Sequence, residues 1–394
     1  MADTSYFTLP QLFQVPYVTD VISQYPTPDT AFQRFYRSMT NRTLTPVRTF
    51  VWDQFNKTRT IATLTAPMTD ANVIHRQKIG HCTGALLRMA EKMRFLDEEF
   101  KNFRPLGGQI GQLNADGAEW ATRQIKFMHQ RHSNLMEYAL AKTLTGGFGL
   151  ARSQTAYRVT ELNASGNEYD IDMHIPSSHK GQLALDTGNA NIIDTSWDNP
   201  AADIITQMFK LRQVAIRETG YEPKNCWISS KIAGNLFSNI GLQSVAGLSN
   251  RVWNTVTDQP ARVDPSNRDL GGLRITFNAI PWITFYVNDV VVNLGSATDP
   301  QGADSTAAAD CTRLLPEGYA IFTPDSDNEW LTFFGGEEPV QEQIGGQSTQ
   351  ARNFHTFTRR LTTPLAPGYE AYMVDNFLPA IRIPNAVYFP KVVF

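Results

Sequence analysis

Cysteine and charge are what this sequence has least of. Its three cysteines in 394 residues, Cys82, Cys226 and Cys311, stand far apart with no Cys-x-x-Cys pair. A sparse, odd set gives neither a disulfide framework nor zinc-ligand spacing, and it suits a reducing compartment. Charged residues make up 19% of the chain and balance to a net of −3, which argues against the basic stripe by which nucleic-acid readers grip phosphate. The N-terminal MADTSYFTLPQLF lacks the basic start and apolar run of a signal peptide, and Ala2 stands where myristoylation needs glycine. The most apolar stretch, Ile280 to Leu294, is interrupted by Asn288 and Asp289 and is too short to span a bilayer. A soluble chain made in a cytoplasm is expected.

Chemical motifs are missing as well. The sequence holds no phosphate-binding loop, no glycine-rich dinucleotide motif after a strand, no His-Glu-x-x-His and no Gly-x-Ser-x-Gly. The run Gly146-Gly147-Phe148-Gly149 follows a predicted helix, where glycines serve as a cap, whereas a phosphate cradle precedes one. His129 and His132 are three apart on that helix and could chelate a metal, but no third ligand has the usual spacing. His132 falls on the apolar stripe and reads better as a packing histidine. Asp325, Asp327 and Glu329 alternate in TPDSDNEW and could meet a hard cation, yet the glycine and twelfth-position glutamate of a calcium loop are absent. A solvated turn is the plainer reading. No catalytic, cofactor-binding or metal-binding residue is assigned and no cofactor is expected, which moves the weight toward a non-enzymatic protein whose function lies in its surfaces.

What is present is apolar and aromatic: 42% hydrophobic residues, with 23 Phe, 13 Tyr and 7 Trp. At about 150 residues per domain, this length predicts two or three domains with sizeable cores. Residues 1–45 are polar and irregular, broken by Pro10, Pro16, Pro26 and Pro28, and read as an extended arm. Its apolar residues, Phe7, Leu9, Leu12, Phe13, Val15 and Tyr17, would cover either a neighbour's surface or the chain's own domain. From Thr45 to Ile79 the pattern is strand-like, VRTFVWDQF alternating and RTIATLTAPMT rich in β-branched residues, with a turn near Pro67, Asp70 and Asn72. This predicts a long protruding hairpin. In Leu86 to Phe100, Met89, Met93, Leu96 and Phe100 recur at helical spacing, which predicts a helix.

The strongest element starts near Asp116, a candidate N-cap with Glu119 three residues on. Ala121, Ile125, Met128, His132, Leu135 and Ala139 line one face, and Arg123, Lys126, Arg131 and Lys142 are expected on the other. Gly146 and Gly147 end this helix, a beam expected to lie across a sheet. Two strands follow, in AYRVTELN and NEYDIDMHI, about the turn Ala164–Asn167. A helix with Asn199 as cap and Pro200 at its first position carries Ile204, Ile205, Met208, Leu211, Ala215 and Ile216, and Gly220 ends it. CWIS reads as a short buried strand, and Ser229 or Ser230 caps the next helix through Phe237. Further strands are predicted in LRITFNAI, WITFYVND, VVVNL, YAIFTP and WLTFF. The apolar tail, Val387 to Phe394, must be tied into a sheet.

This order of arm, hairpin, beam helix, β segment, α/β unit and returning strands resembles the major capsid proteins of tailed bacteriophages. The resemblance is to the Hong Kong 97-like fold, in particular the lambda-type branch (phage major capsid protein E family). FQRFYRSMTNRTLTPVRTFVWD is similar to the lead-in to that family's hairpin, its E-loop. EWATRQIKFMHQRHSNLMEYALAKTLTGGFGL resembles its spine helix, and NPAADIITQMFKLRQVAIRETGYEPKNCWISSKIAGNLFSN the opening of its axial domain. FLPAIRIPNAVYFPKV is similar to its closing strands.

The resemblance implies an α+β chain with an N-terminal arm at 1–45 and the E-loop hairpin and its return at 46–100. A peripheral domain would span 101–196 with its spine helix at 116–146, an axial domain 197–355, and C-terminal strands 356–394 would return to the peripheral domain. It would make part of Thr83 to Phe95 extended, against the helical periodicity. It implies self-assembly into hexamers and pentamers of an icosahedral shell, with scaffold, portal and decoration proteins as further partners and no membrane. Double-stranded DNA would lie inside without sequence-specific binding, in a virion assembled in the host cytoplasm. An encapsulin-like compartment shell and a two-domain α/β enzyme without a recognisable motif are the alternatives.

Overall fold

Alternation of side chains fixes most of the strands, and one long helix crosses them. The computed structural model describes residues 7–8, 32, 35–36, 43–55, 79–96, 98–99, 112–113, 115–153, 156–181, 191–244, 261–264, 274–293, 311–325, 329–336, 338–344, 347–351, 355–361 and 368–394. A short strand β1 (Thr43–Thr45) leads into β2 (Thr49–Phe55), which pairs antiparallel with β3 (Ile79–Ala85), Thr49 opposite Ala85 and Phe55 opposite Ile79. These are the two stems of the expected hairpin, whose tip at Pro67, Asp70 and Asn72 lies outside the described residues.

The next element, β4 (Leu87–Leu96), corrects the helical expectation for Leu86 to Phe100. Leu87, Met89 and Phe95 are buried while Arg88, Ala90 and Lys92 face outward or half outward, a period of two. Met89 and Met93 fit either period, so local spacing does not decide between them. Ten consecutive backbone pairs with a strand near the C-terminus do, which is tertiary context overriding propensity.

Helix α1 runs Ala115–Leu144, about 45 Å at 1.5 Å per residue. It begins one residue before Asp116, which therefore lies inside the helix. Ala121, Ile125, Met128, His132 and Ala139 form its buried face as predicted. From Met136 to Leu144 the helix is buried all round, and Lys142, expected outside, is enclosed. Its Nζ meets Glu161 and lies 5.4 Å from the Tyr138 ring centre. Gly146 and Gly147, at φ 121° and 127°, end the helix. A Cβ on Gly147 would strike the Ile171 carbonyl, so only glycine lets the chain turn straight back as a strand. That strand, β5 (Gly147–Ser153), is central to an antiparallel sheet with β6 (Ala156–Thr160) and β7 (Asn167–Asp172).

A second unit follows. Helix α2 (Ile204–Glu218) is capped by Asp203, whose carboxylate accepts from Thr206 N at 3.0 Å. The expected cap Asn199 instead closes a turn on Ala201 N at 3.0 Å, and Pro200 lies before the helix. The carboxylate is better placed at the positive helix end, just before the apolar stripe begins at Ile204. Gly220 ends α2 at φ 78°. Strand β8 (Asn225–Ile228) and helix α3 (Ser230–Ser238), capped by Ser229, come next. With β9 (Ala261–Asp264), β10 (Arg274–Phe277), β11 (Thr284–Val287) and β12 (Ile321–Thr323), β8 builds a sheet in the order β9-β10-β11-β8-β12, in which β8 and β11 are parallel.

The chain then returns. Strands β13 (Leu331–Gly336), β14 (His355–Leu361) and β15 (Gly368–Ile381) form a sheet with β1 and β4. β13 therefore lies beside β15 and not in the sheet of the second unit. Beyond β15, Tyr388 exchanges backbone hydrogen bonds with Phe322, and Phe389–Pro390 pairs parallel with Lys180–Gly181, so the apolar tail is tied in.

Two cores result. One gathers α1, β5, β15 and their neighbours; the other lies between β8, β10, β11 and helices α2 and α3. Among the described residues no helix is long and apolar enough to cross a membrane.

His132, 2% exposed on α1, has its Nε2 3.6 Å from Glu91 Oε2 on β4. Burial, opposed by Glu91 and reinforced by His129 and Arg131, lowers its imidazole to about 4. A group depressed in the folded state stabilises it above the unfolded value and loses that contribution as the pH falls through the folded one. We expect H132N to flatten the loss of unfolding free energy between pH 6.5 and about 4 by about 3 kcal/mol, measured by urea titration across that range.

Candidate assembly surfaces

The described stems of the hairpin bury one face against the body and expose the other. On its inner face, Trp52, Gln54, Cys82 and Gly84 are buried; on its outer face, Thr49, Val51, Asp53, Ile79, His81 and Thr83 are exposed. Trp52 Nε1 donates to Ile381 O at 3.2 Å. Gln54 Nε2 donates to the same carbonyl and to Met173 O, both at 3.1 Å. Its Oε1 lies 3.1 Å from Nδ1 of His174, a residue at φ 53° whose own N donates to Asp172. Gln54 thus pins three segments, β2, the end of β15 and the exit of β7, with an amide that is 6% exposed.

Packing completes the root. Phe50 and Trp52 pack on Phe334 with tilted rings, centroids 4.5 and 6.1 Å away. A Cβ on Gly84 would come within 2.5 Å of Trp52 and 2.9 Å of Leu378, so glycine is needed for the indole to lie flat across the ladder. Cys82 Sγ donates to Asp172 O at 3.1 Å. Burial, then the Asp172 charge, pushes its thiol up to about 12, so it is no nucleophile. Cys226 is likewise buried and free.

Exposed apolar side chains cluster in three places. Leu44, Val47, Val51 and Ile79, 45–58% exposed, surround the hairpin root. Tyr157 and Tyr169, exposed on β6 and β7, lie 6.2 Å apart. Phe209, Phe237 and Ile240 stand on the helical layer of the second unit.

A site inside the molecule was not expected. Phe32, Phe35 and Tyr36, at the end of the presumed arm, wedge between α1 and the second sheet. Phe32 packs on Trp227 at 4.5 Å, Phe35 on Tyr286 at 4.9 Å and Tyr36 on Trp330 at 5.7 Å. Phe32 N donates to Glu137 Oε1 at 2.6 Å, and the Tyr36 hydroxyl shares Thr323 Oγ1 and Trp227 Nε1 at 2.9 and 3.1 Å. The spacing Phe-x-x-Phe-Tyr, three apolar positions on one helical turn, is the signal that reveals it. Phe7–Thr8 pairs with Gln112–Leu113 of the same chain. With Thr43–Thr45 paired to β13, all three described parts of the arm therefore return to their own chain; the other apolar arm residues lie outside the described ones.

The residues weighed for chemistry do not converge. Asp325 pairs with Lys224 at 3.2 Å and Glu329 meets the Tyr221 hydroxyl, while Asp327 is outside the described residues. Among the described residues, no group of three His, Cys, Asp or Glu is placed to hold a metal ion.

No protein-family model matches the sequence, and no curated protein matches it. Solved structures do. A prophage protein of E. coli CFT073, assigned there as a capsid protein, superposes at TM-score 0.51 with 10% identity, covering 98% of this chain and 99% of that one. A phage-related protein of Bordetella bronchiseptica RB50 gives TM-score 0.46 and 13% identity over 95% and 96% of the two chains. The cyanophage Pam1 capsid gives 0.45 and 9% over 93% of each.

Trp52→Ala is expected to cost about 3–5 kcal/mol of unfolding free energy, and Val51→Thr on the opposite face less than about 0.5 kcal/mol. Urea titration with hydrogen exchange across 79–85 checks both. By its end-to-end match to the E. coli prophage protein, the chain has the Hong Kong 97-like capsid fold.

Proposed function

We propose that this chain is the major capsid protein of a tailed phage, building hexamers and pentamers of an icosahedral shell around double-stranded DNA. The observation that carries this is the shared fold with a chain assigned as a prophage capsid protein, matched over nearly the whole of both. The anchored hairpin supports it: a two-stranded ribbon buried on one face and exposing Val51 and Ile79 on the other leaves a face on which a second copy can lie. So does the near-neutral charge, which lets subunits lie edge to edge and beside packed DNA without strong attraction or repulsion. In this reading the role is structural and not enzymatic, and the location is the virion. Scaffold, portal and decoration proteins, assembly in the host cytoplasm and the lambda-type branch belong to the same proposal. So does the division into hairpin, peripheral unit about α1 and axial unit about β8.

Residues Thr58 to Ile79 of one copy are proposed to lie on the next. Purified protein, alone and co-expressed with the products of its flanking genes, should give rings of five or six, tubes or closed shells by negative-stain electron microscopy and sedimentation. A homogeneous monomer under all those conditions would overturn the reading. Removing 58–79 should leave a folded chain, by circular dichroism, that no longer assembles; a normal shell from that variant would exclude the hairpin as the joint. Particle contents separate the alternatives, DNA marking a virion and a packaged enzyme marking a compartment.

A further inference from the structure

The two cores meet along the C-terminal strand. Val387 and Phe389 belong to the first, and Tyr388 and Val392 to the second. The chain that leaves β7 crosses at the same seam: a single turn, Ser177–His179, then Lys180–Gly181 against Phe389–Pro390. At this point sits His179, 3% exposed, its ring stacked on Tyr388 with centroids 4.1 Å apart and planes at 22°. Nδ1 is 3.1 Å from Val387 O, and Nε2 is 2.9 Å from Glu218 Oε2, at the last residue of α2. The Tyr388 hydroxyl donates to the same carboxylate oxygen at 3.2 Å.

We propose that His179 is held as an imidazolium and forms with Glu218 a proton-dependent lock, fastening the crossing segment and the C-terminal strand to α2. A backbone carbonyl can only accept a hydrogen bond, and so can an ionised carboxylate; two acceptors facing two ring nitrogens require two N–H donors, which the neutral ring does not have. The groups around it agree. The His179 hydrogen bond, working against burial, holds the Glu218 carboxyl below its ordinary range, helped by the Tyr388 hydroxyl and Arg217. Burial and then the Glu218 charge push the Tyr388 phenol up, so it stays a neutral donor, with Arg217 opposing weakly. The lock therefore needs both of its ends in one form, the ring donating from both nitrogens and Glu218 ionised. One lost donor leaves a lone pair against an oxygen in a dry seam, a contact with no water to relieve it.

The test does not depend on assembly. Hydrogen exchange by mass spectrometry, corrected for intrinsic rates, should show peptides covering 387–392 opening about tenfold more readily at about pH 9 than at about pH 6.5, while the peptide over 225–228 is unchanged. His179→Gln should open readily at both pH values, and Glu218→Gln should flatten the same pH response. Equal wild-type protection of 387–392 across that range would overturn the proposal. So would a wild-type pH response retained by Glu218→Gln, a variant that keeps a hydrogen-bonding partner if His179→Gln proves too unstable to purify.

Discussion

The larger core depends on a strand whose two edges are both taken and whose face is covered by a helix. Along β15, Gly368 pairs with Leu96 on one side and Leu361 on the other, and Phe377 with Leu87 and Gly335. That leaves β4 on one flank and β14 followed by β13 on the opposite one, with α1 packed across. Such a strand tolerates little. A Cβ on Gly368 would collide with the Phe95 carbonyl, and the carboxylate of Glu370, 3% exposed, is acceptable there because Arg94 Nε donates to it at 2.6 Å and Tyr372 reaches it too. Its last carbonyl, Ile381 O, is taken by side chains, Trp52 and Gln54, and in this way the central strand becomes the hairpin's mount.

The second unit is joined to the first by the period of its own strands. In β8, Cys226 and Ile228 face the helices while Trp227 faces the other way into the first core; β11 divides Phe285 from Tyr286 and β12 divides Phe322 from Ile321 in the same manner. A sheet apolar on both faces needs cover on both. Helices α2 and α3 supply one cover. The other is made by Phe32, Phe35 and Tyr36, delivered from almost two hundred residues away in sequence. Because Phe32 is buried, its N–H needs a partner, and Glu137, in the last third of α1, provides one.

What was legible in the sequence was what local periodicity encodes. The face of α1, the glycines that stop it, the stripe of α2, the strand–helix pair Asn225 to Ser238 and the alternation of VRTFVWDQF all stand where pattern places them. What was not legible depended on partners distant in sequence. Met89 and Met93 fit a helix until β15 is known to lie alongside. Lys142 looks like an outward cation until β5 to β7 close over it. Gln54 is one polar residue in an alternating run, and nothing local shows that its amide joins three segments. Phe32 to Tyr36 was overlooked because prolines and polar residues upstream set the expectation for the whole arm.

The hairpin root then poses a physical question that the monomer does not answer. Its paired stems are seven residues each, and a two-stranded ribbon is at best marginally stable where nothing covers it. The inner face is secured by hydrogen bonds to three carbonyls and by an indole fitted against a glycine. The outer face exposes Val51 and Ile79 among Thr49, Thr83 and an Asp53–His81 pair at 2.9 Å. In the proposed assembly, anchoring on one side would leave the outer face to a different patch of the next copy. Contacts of that head-to-tail kind close into rings when the rotation between copies permits. In that assembly the root, pinned by Gln54 and Trp52, would help to fix the rotation, because a ribbon free to swing at its base would specify no angle.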